Sequence, residues 1–284
     1  MFETFFDPVT ETLMLGDEWL EVVHCWHHVF PDHVARAKHI VLPSQIQRIG
    51  GGRRHAPAFG AFHGFVHLIS VDLSNTTCLT TIDQYAFFSC TSLTSLTIPD
   101  SVLYINHCAF HGCSSLTDIA LPNLLTSVEM GTFTFCVSLV TLTLPRSVTQ
   151  IDTNAFSGCA ALTHIKLPNN LYALENFVFY TCTSLTDLTL PRGLRIIGDH
   201  AFAYCSSLRH IAIPPTVLEI GKHAFCGCTS LLTVLFEDPN SCKSIGAYAF
   251  HDCSSLVEIN LPPIALREFA LRGCPLHQPK RLRI

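Results

Sequence analysis

Charge is scarce in this chain of 284 residues: Asp, Glu, Lys and Arg together make up 14% of it, against 48% hydrophobic residues. So few charges cannot solvate a loose chain, which excludes disorder except at the ends and requires most of each segment to face inward. Basic residues form no stripe, and the formal net charge is −5. A nucleic-acid partner is therefore not expected, because displacing counterions from phosphates needs clustered cations. Long apolar runs are missing as well. No stretch reaches the roughly eighteen uncharged apolar residues of a membrane-spanning helix, so no membrane span is expected. The opening Met1-Phe2-Glu3-Thr4-Phe5-Phe6-Asp7-Pro8 has neither the basic nor the apolar region of a secretory signal. A cytoplasmic location with reduced thiols is the expectation.

Catalytic arrangements are also lacking. No nucleophile elbow or Cys/His motif places a nucleophile beside a base, so the chain is not expected to be an enzyme or to carry a cofactor. Gly50-Gly51-Gly52-Arg53-Arg54 suggests a phosphate loop only superficially. No Gly-Lys-Ser/Thr follows it, and no helix offers its N-terminus there.

What is present is a period. Phenylalanine stands at 110, 133, 156, 179, 202 and 225, always 23 residues apart, and Phe62, Phe87 and Phe250 join the series at intervals of 23 or 25. A repeat of this length defines a solenoid, in which each coil buries its face on the next. Three residues after each Phe comes Cys90, Cys113, Cys136, Cys159, Cys182, Cys205, Cys228 or Cys253, with Cys274 in the last copy, and three further on a Leu such as Leu162 or Leu208. An apolar pair two apart, such as Leu96 with Ile98, then reads as a short β-strand. A following proline (Pro99, Pro122, Pro145, Pro168, Pro191, Pro214) ends its pairing. The second half of the unit, as in Val148-Thr149-Gln150-Ile151, turns the chain back along an opposite wall.

These columns run from 39 to 276 and make about ten repeats, interrupted by a glycine-rich insertion at 50–58. Residues 1–38 fall outside the period. Trp19, Leu20, Val22, Val23, Trp26 and Val29, with Asp17 to cap and Pro31 to stop, predict one amphipathic helix over 16–30 that covers the open end of the array. The basic residues of 277–284 read as a solvated tail.

The cysteine column reads as a packing ladder of small buried side chains. Stacked coils about 4.8 Å apart put its Cβ atoms beyond disulfide range, and a straight row does not converge on a metal. Cys226 and Cys228 should point to different sides of their turn. His24, His27 and His28, with His33 beyond, share a helical face but lack an acid to complete a metal site. No metal is expected.

Binding must then use the exposed strand positions. The central column is Asp72, Thr97, Ala120, Thr143, Lys166, Thr189, Ala212, Leu235 and Asn260, and beside it run Asp118, His164, Asp187, His210 and Glu258 with small hydroxylated residues between. Trp, Tyr and Arg anchors are missing from both columns. The candidate partner-binding residues are Asp118, His164, Lys166, Asp187, His210 and Glu258, of which the middle group His164, Lys166, Asp187 and His210 is the best candidate for a hot region.

Ile197-Gly198-Asp199-His200-Ala201-Phe202-Ala203-Tyr204-Cys205-Ser206-Ser207-Leu208 and Ile220-Gly221-Lys222-His223-Ala224-Phe225-Cys226-Gly227-Cys228 make the unit resemble the BspA-type leucine-rich repeat, also called the Treponema pallidum type, over roughly residues 40 to 276. The resemblance implies a leucine-rich-repeat solenoid, a right-handed coil of short parallel strands, without enzymatic activity, whose concave β-surface binds a protein partner as a monomer. It also leaves open a cell-surface adhesin or coat protein, and an adaptor that uses its N-terminal helix to dock a second complex.

Overall fold

The computed structural model describes residues 4–15, 36–50, 60–263 and 269–277. It is a β-solenoid of about ten turns, and each coil has three walls. The first strands are β1 (Thr4–Asp7) and β2 (Thr12–Leu15). The wall that β2 begins continues through β3 (His39–Val41), β5 (Ser70–Asp72), β7 (Ser95–Thr97), β9 (Asp118–Ala120), β11 (Thr141–Thr143), β13 (His164–Lys166), β16 (His210–Ile213), β18 (Thr233–Phe236) and β20 (Glu258–Ile259). The opposite wall is made of two-residue strands: β4 (Arg48–Ile49), β6 (Thr81–Ile82), β8 (Tyr104–Ile105), β10 (Ser127–Val128), β12 (Gln150–Ile151), β14 (Ala173–Leu174), β15 (Ile196–Ile197), β17 (Glu219–Ile220) and β19 (Ser244–Ile245). Pairing between coils is parallel and in register, as in Thr141↔His164 and Ile197↔Ile220. Each strand of the first wall alternates a buried residue with exposed ones, as period-two patterning requires. The proline after it opens a turn: the carbonyls of Pro99, Pro145 and Pro214 accept hydrogen bonds from Val102, Val148 and Val217 at 3.0–3.1 Å.

The third wall carries the Phe column. On it the N–H of each core Phe donates to the coil after it. Phe62, Phe87, Phe110, Phe133, Phe156, Phe179, Phe202, Phe225 and Phe250 donate their N–H groups to Ala86, Ala109, Thr132, Ala155, Val178, Ala201, Ala224, Ala249 and Ala270 at 2.7–3.0 Å. From the coil of Phe87 onward, two residues per coil make these turns possible by adopting the left-handed region, one two positions before the Phe and one two positions after. Around Phe156 they are Asn154 (φ 58) and Gly158 (φ 76). The Phe rings stack with centroids 5.1–5.7 Å apart and lie at the centre of one continuous core.

The cysteine column is more than filler. Each thiol donates to the carbonyl of the Phe one coil earlier, from Cys90 to Phe62 at 3.0 Å through Cys159 to Phe133 at 3.1 Å to Cys274 on Phe250 at 3.0 Å. Burial pushes the Cys113 and Cys159 thiols up to about 12. Because only the thiolate reacts, iodoacetamide at neutral pH should leave this column unlabelled in the native protein while the partly exposed Cys78 and Cys108 react. Uniform labelling of all of them, read by peptide mass mapping, would show that the column is not closed.

The start of the chain differs from the sequence expectation. The described part of residues 1–38 is a β-hairpin: β1 runs antiparallel to β2, with Thr4↔Leu15 and Asp7↔Thr12. Strand β2 then pairs in parallel with β3, Leu13 opposite Ile40, and Leu13 is fully buried. The array is therefore extended by a strand at this end, and the described residues contain no α-helix, only a short 3-10 turn at Pro275–His277. The helix expected over 16–30, its histidines, the insertion at 51–58 and the tail from 278 lie outside the described residues.

Rings also stack on the surface of the third wall, two residues before the core Phe. Phe177, His200, His223 and Tyr248 follow one another at 4.6, 4.6 and 4.8 Å, nearly parallel. Burial, and then the neighbouring His223, lower the pKa of His200 below 6.5, with Asp199 opposing; burial alone lowers that of His111. A histidine depressed in the folded state contributes stability that is complete above the unfolded value of about 6.5 and is lost as pH falls through the lower folded value. The urea midpoint should therefore fall between pH 7.5 and pH 5, and less steeply in His200→Gln. An unchanged midpoint across that range would exclude the imidazole stack as a source of pH dependence.

Candidate interaction surface

The exposed positions of the strand wall come out as a flat array because parallel in-register pairing places the first residue of every strand in one line. Asp118, His164, His210 and Glu258 begin β9, β13, β16 and β20, and all are exposed. Asp187, also exposed, holds the same place in a coil that forms no strand. His210 is not free: its Nδ1 lies 2.8 Å from Thr233 Oγ1 on the next coil.

The ladder of this wall lapses between β5 and β7 and between β9 and β11, and at the coil of Asp187 the strand itself is lost. Among the described residues, the backbone of Asp187–Leu190 makes no hydrogen bond to either neighbour. The bonds leading into it are stretched, at 3.4 Å from Thr186 to Thr163 and 3.5 Å from Arg209 to Thr186. Equivalent bonds elsewhere, from Thr117 to Thr94 and from Thr163 to Val140, are 2.9 and 3.0 Å. The other two walls stay closed at the same level, through β14–β15 pairing and the 2.8 Å bond from Phe179 to Ala201. Opening one wall while two remain pinned spreads the coils locally on the strand side.

The opening forms a groove of about 600 Å³ lined by His164, Lys166, Leu167, Asn169, Asp187, Thr189, Leu190, Pro191 and Arg192. Three of the four residues expected to form the hot region line it: His164, Lys166 and Asp187. His210 is on the next coil, and Asp118 and Glu258 stand two coils beyond the group on either side, outside the groove. Arg192 and Asn169, which follow the prolines at the strand ends, were missed because only strand positions were considered. Arg192 supplies the planar cationic anchor that the strand columns lack. Unpaired main-chain groups, two cations, an imidazole and one carboxylate can recognise a polar or acidic chain. No nucleophile and base are placed together there.

Cys226 and Cys228 part as expected, Cys228 inward onto the Phe202 carbonyl at 3.1 Å and Cys226 onto the third wall beside Tyr204. Among the described residues no group of His, Cys, Asp and Glu gathers as metal ligands would, and no helix is long and apolar enough to cross a membrane.

A stack of 23-residue coils, closed by a Phe column and walled by short parallel strands, defines the chain as a leucine-rich-repeat solenoid. The profile of the BspA type leucine rich repeat region matches six copies over residues 29–163, 80–205 and 173–278, and the chain belongs to that family. The solved structures it is similar to include a leucine rich repeat protein of T. pallidum, 27% identical over 73% of this chain and 87% of that one with a TM-score of 0.54. A leucine-rich repeat protein from Bacteroides ovatus is 23% identical over 91% and 92%, TM-score 0.39. A leucine rich cell surface protein from Faecalibacterium prausnitzii is 22% identical over 93% of each chain, TM-score 0.39. A search of curated proteins finds no match.

Proposed function

We propose that this chain is a non-enzymatic protein-interaction module whose partner docks across the strand face, centred on the opening at Asp187–Leu190. The observation that carries the reading is the coincidence of the groove with a cluster of charged and titratable residues on that face, His164, Lys166, Asp187 and Arg192. Elsewhere the face offers mainly small hydroxylated residues with isolated charges such as Asp118 and Glu258, which fit a partner's rim and add little energy. The test is affinity capture with the full chain, comparing the double substitution Lys166→Glu with Arg192→Glu against Arg195→Glu on the opposite wall. A partner retained by the Arg195 variant and lost by the double variant supports the face. Equal capture by both variants removes it, and localisation of the tagged chain at the cell surface would favour an adhesin over an internal module.

A further inference from the structure

We propose that the third wall holds a second binding surface, a track for an extended oligosaccharide built on Phe135 and Tyr204. Both rings stand two residues after a core Phe in the left-handed conformation, with φ 58 and φ 63, and both are about half exposed, at 51% and 47%. Each lies across a glycine of the following coil. A Cβ on Gly158 would meet Phe135 Cδ1 at 2.4 Å, and one on Gly227 would meet Tyr204 Cδ1 at 2.5 Å, with Cε1 at 2.8 Å in both cases. The two rings therefore share one pose.

That pose differs from a second ring stack, one residue after the core Phe. His63, Phe88 and His111 lie face to face at 4.7 and 4.6 Å, so their faces are spent on one another. Phe135 stands at 84° to His111, which turns its plane along the solenoid and leaves a face for a ligand. Between the rings the column holds Gly158 and Thr181; beyond Tyr204 it holds Gly227 and then the exposed Asp252, paired to His251 at 3.0 Å. Its backbone is pinned coil to coil, Phe135 to Ser157, Gly158 to Tyr180, Thr181 to Ala203, Tyr204 to Cys226 and Gly227 to His251, at 2.7–2.9 Å. A ligand there pays little for ordering the protein.

Two half-exposed aromatic rings with one hydroxyl between them and one carboxylate beyond match a pyranose chain, whose C–H faces stack on rings while its equatorial hydroxyls bond at the sides. The two platforms are three coils apart, about 14 Å at a coil spacing of about 4.8 Å, and a pyranose chain advances close to one coil spacing per residue. A polyproline helix, the other polymer that docks on exposed aromatics, repeats about every 9 Å and would bring neither one nor two turns into register.

The test is calorimetry on the full chain with cellohexaose, chitohexaose and xylohexaose, and with a proline dodecamer as the competing ligand. At least one hexasaccharide should bind. Phe135→Ala and Tyr204→Ala should each weaken it roughly tenfold, and Asp252→Asn should weaken it too, with thermal melting unchanged and Lys166→Glu without effect. The proposal is overturned if no hexasaccharide binds, if binding survives both ring truncations, or if the proline peptide binds at these rings instead.

Discussion

Phe156→Ala should lower the unfolding free energy by about 3 to 5 kcal/mol, the usual loss for a large core truncation. The ring is fully buried and touches its counterparts on both sides, Phe133 at 5.7 Å and Phe179 at 5.5 Å. In a solenoid the stability of a coil lies largely in its two interfaces, so the damage should not stay in one repeat. Hydrogen exchange should show faster opening of the coils built on Phe133 and Phe179 while the first coils keep their protection. Urea unfolding reads the global loss; a value below about 1 kcal/mol, typical of exposed sites, would mean that the ring stack does not hold the array together.

Arg48→Ala is expected to cost about 3 kcal/mol, because it strands a buried carboxylate. Asp83 sits on the second wall with its side chain 5% exposed. It accepts from Arg48 Nε at 3.0 Å and from its guanidinium a second time, and from Asn106 Nδ2 at 3.2 Å. Among the described residues, removing the arginine leaves Asn106 as the remaining side-chain partner. The effect is held below the upper range for broken buried pairs because the Arg48 side chain is itself 57% exposed. Asp83→Asn in the Arg48→Ala background should recover part of the loss by removing the unpaired charge. No recovery in that double variant would show that the cost came from packing of the arginine stem.

The architecture was readable because a repeat states each packing rule many times. One buried Phe is ambiguous, but a row of them at constant spacing can only be a stacked core, and the same holds for the cysteine and proline columns. The N-terminal end was harder to read for the complementary reason. Thr12-Leu13-Met14-Leu15 has the same alternation as Thr141-Leu142-Thr143-Leu144, yet no Phe and Cys at the repeat's spacing follow it to mark its register. The thiol bonds were likewise invisible, since a small buried Cys and a small buried donor look the same in a sequence.

Side-chain periodicity by itself determined the solenoid, the buried columns and which strand positions face outward, because those follow from each residue's place within its own coil. Where the strand wall opens was decided only in three dimensions. Asp187-Leu188-Thr189-Leu190 keeps the alternation of every paired strand, and Leu188 and Leu190 are as buried as their counterparts. Its pairing is lost because coil spacing is settled jointly by three walls, and the other two stay closed at that level. The glycines at 198, 221 and 246 show the same dependence: a Cβ at Gly246 would come within 2.5 Å of the backbone of the coil before it, a constraint that exists only once the coils are stacked.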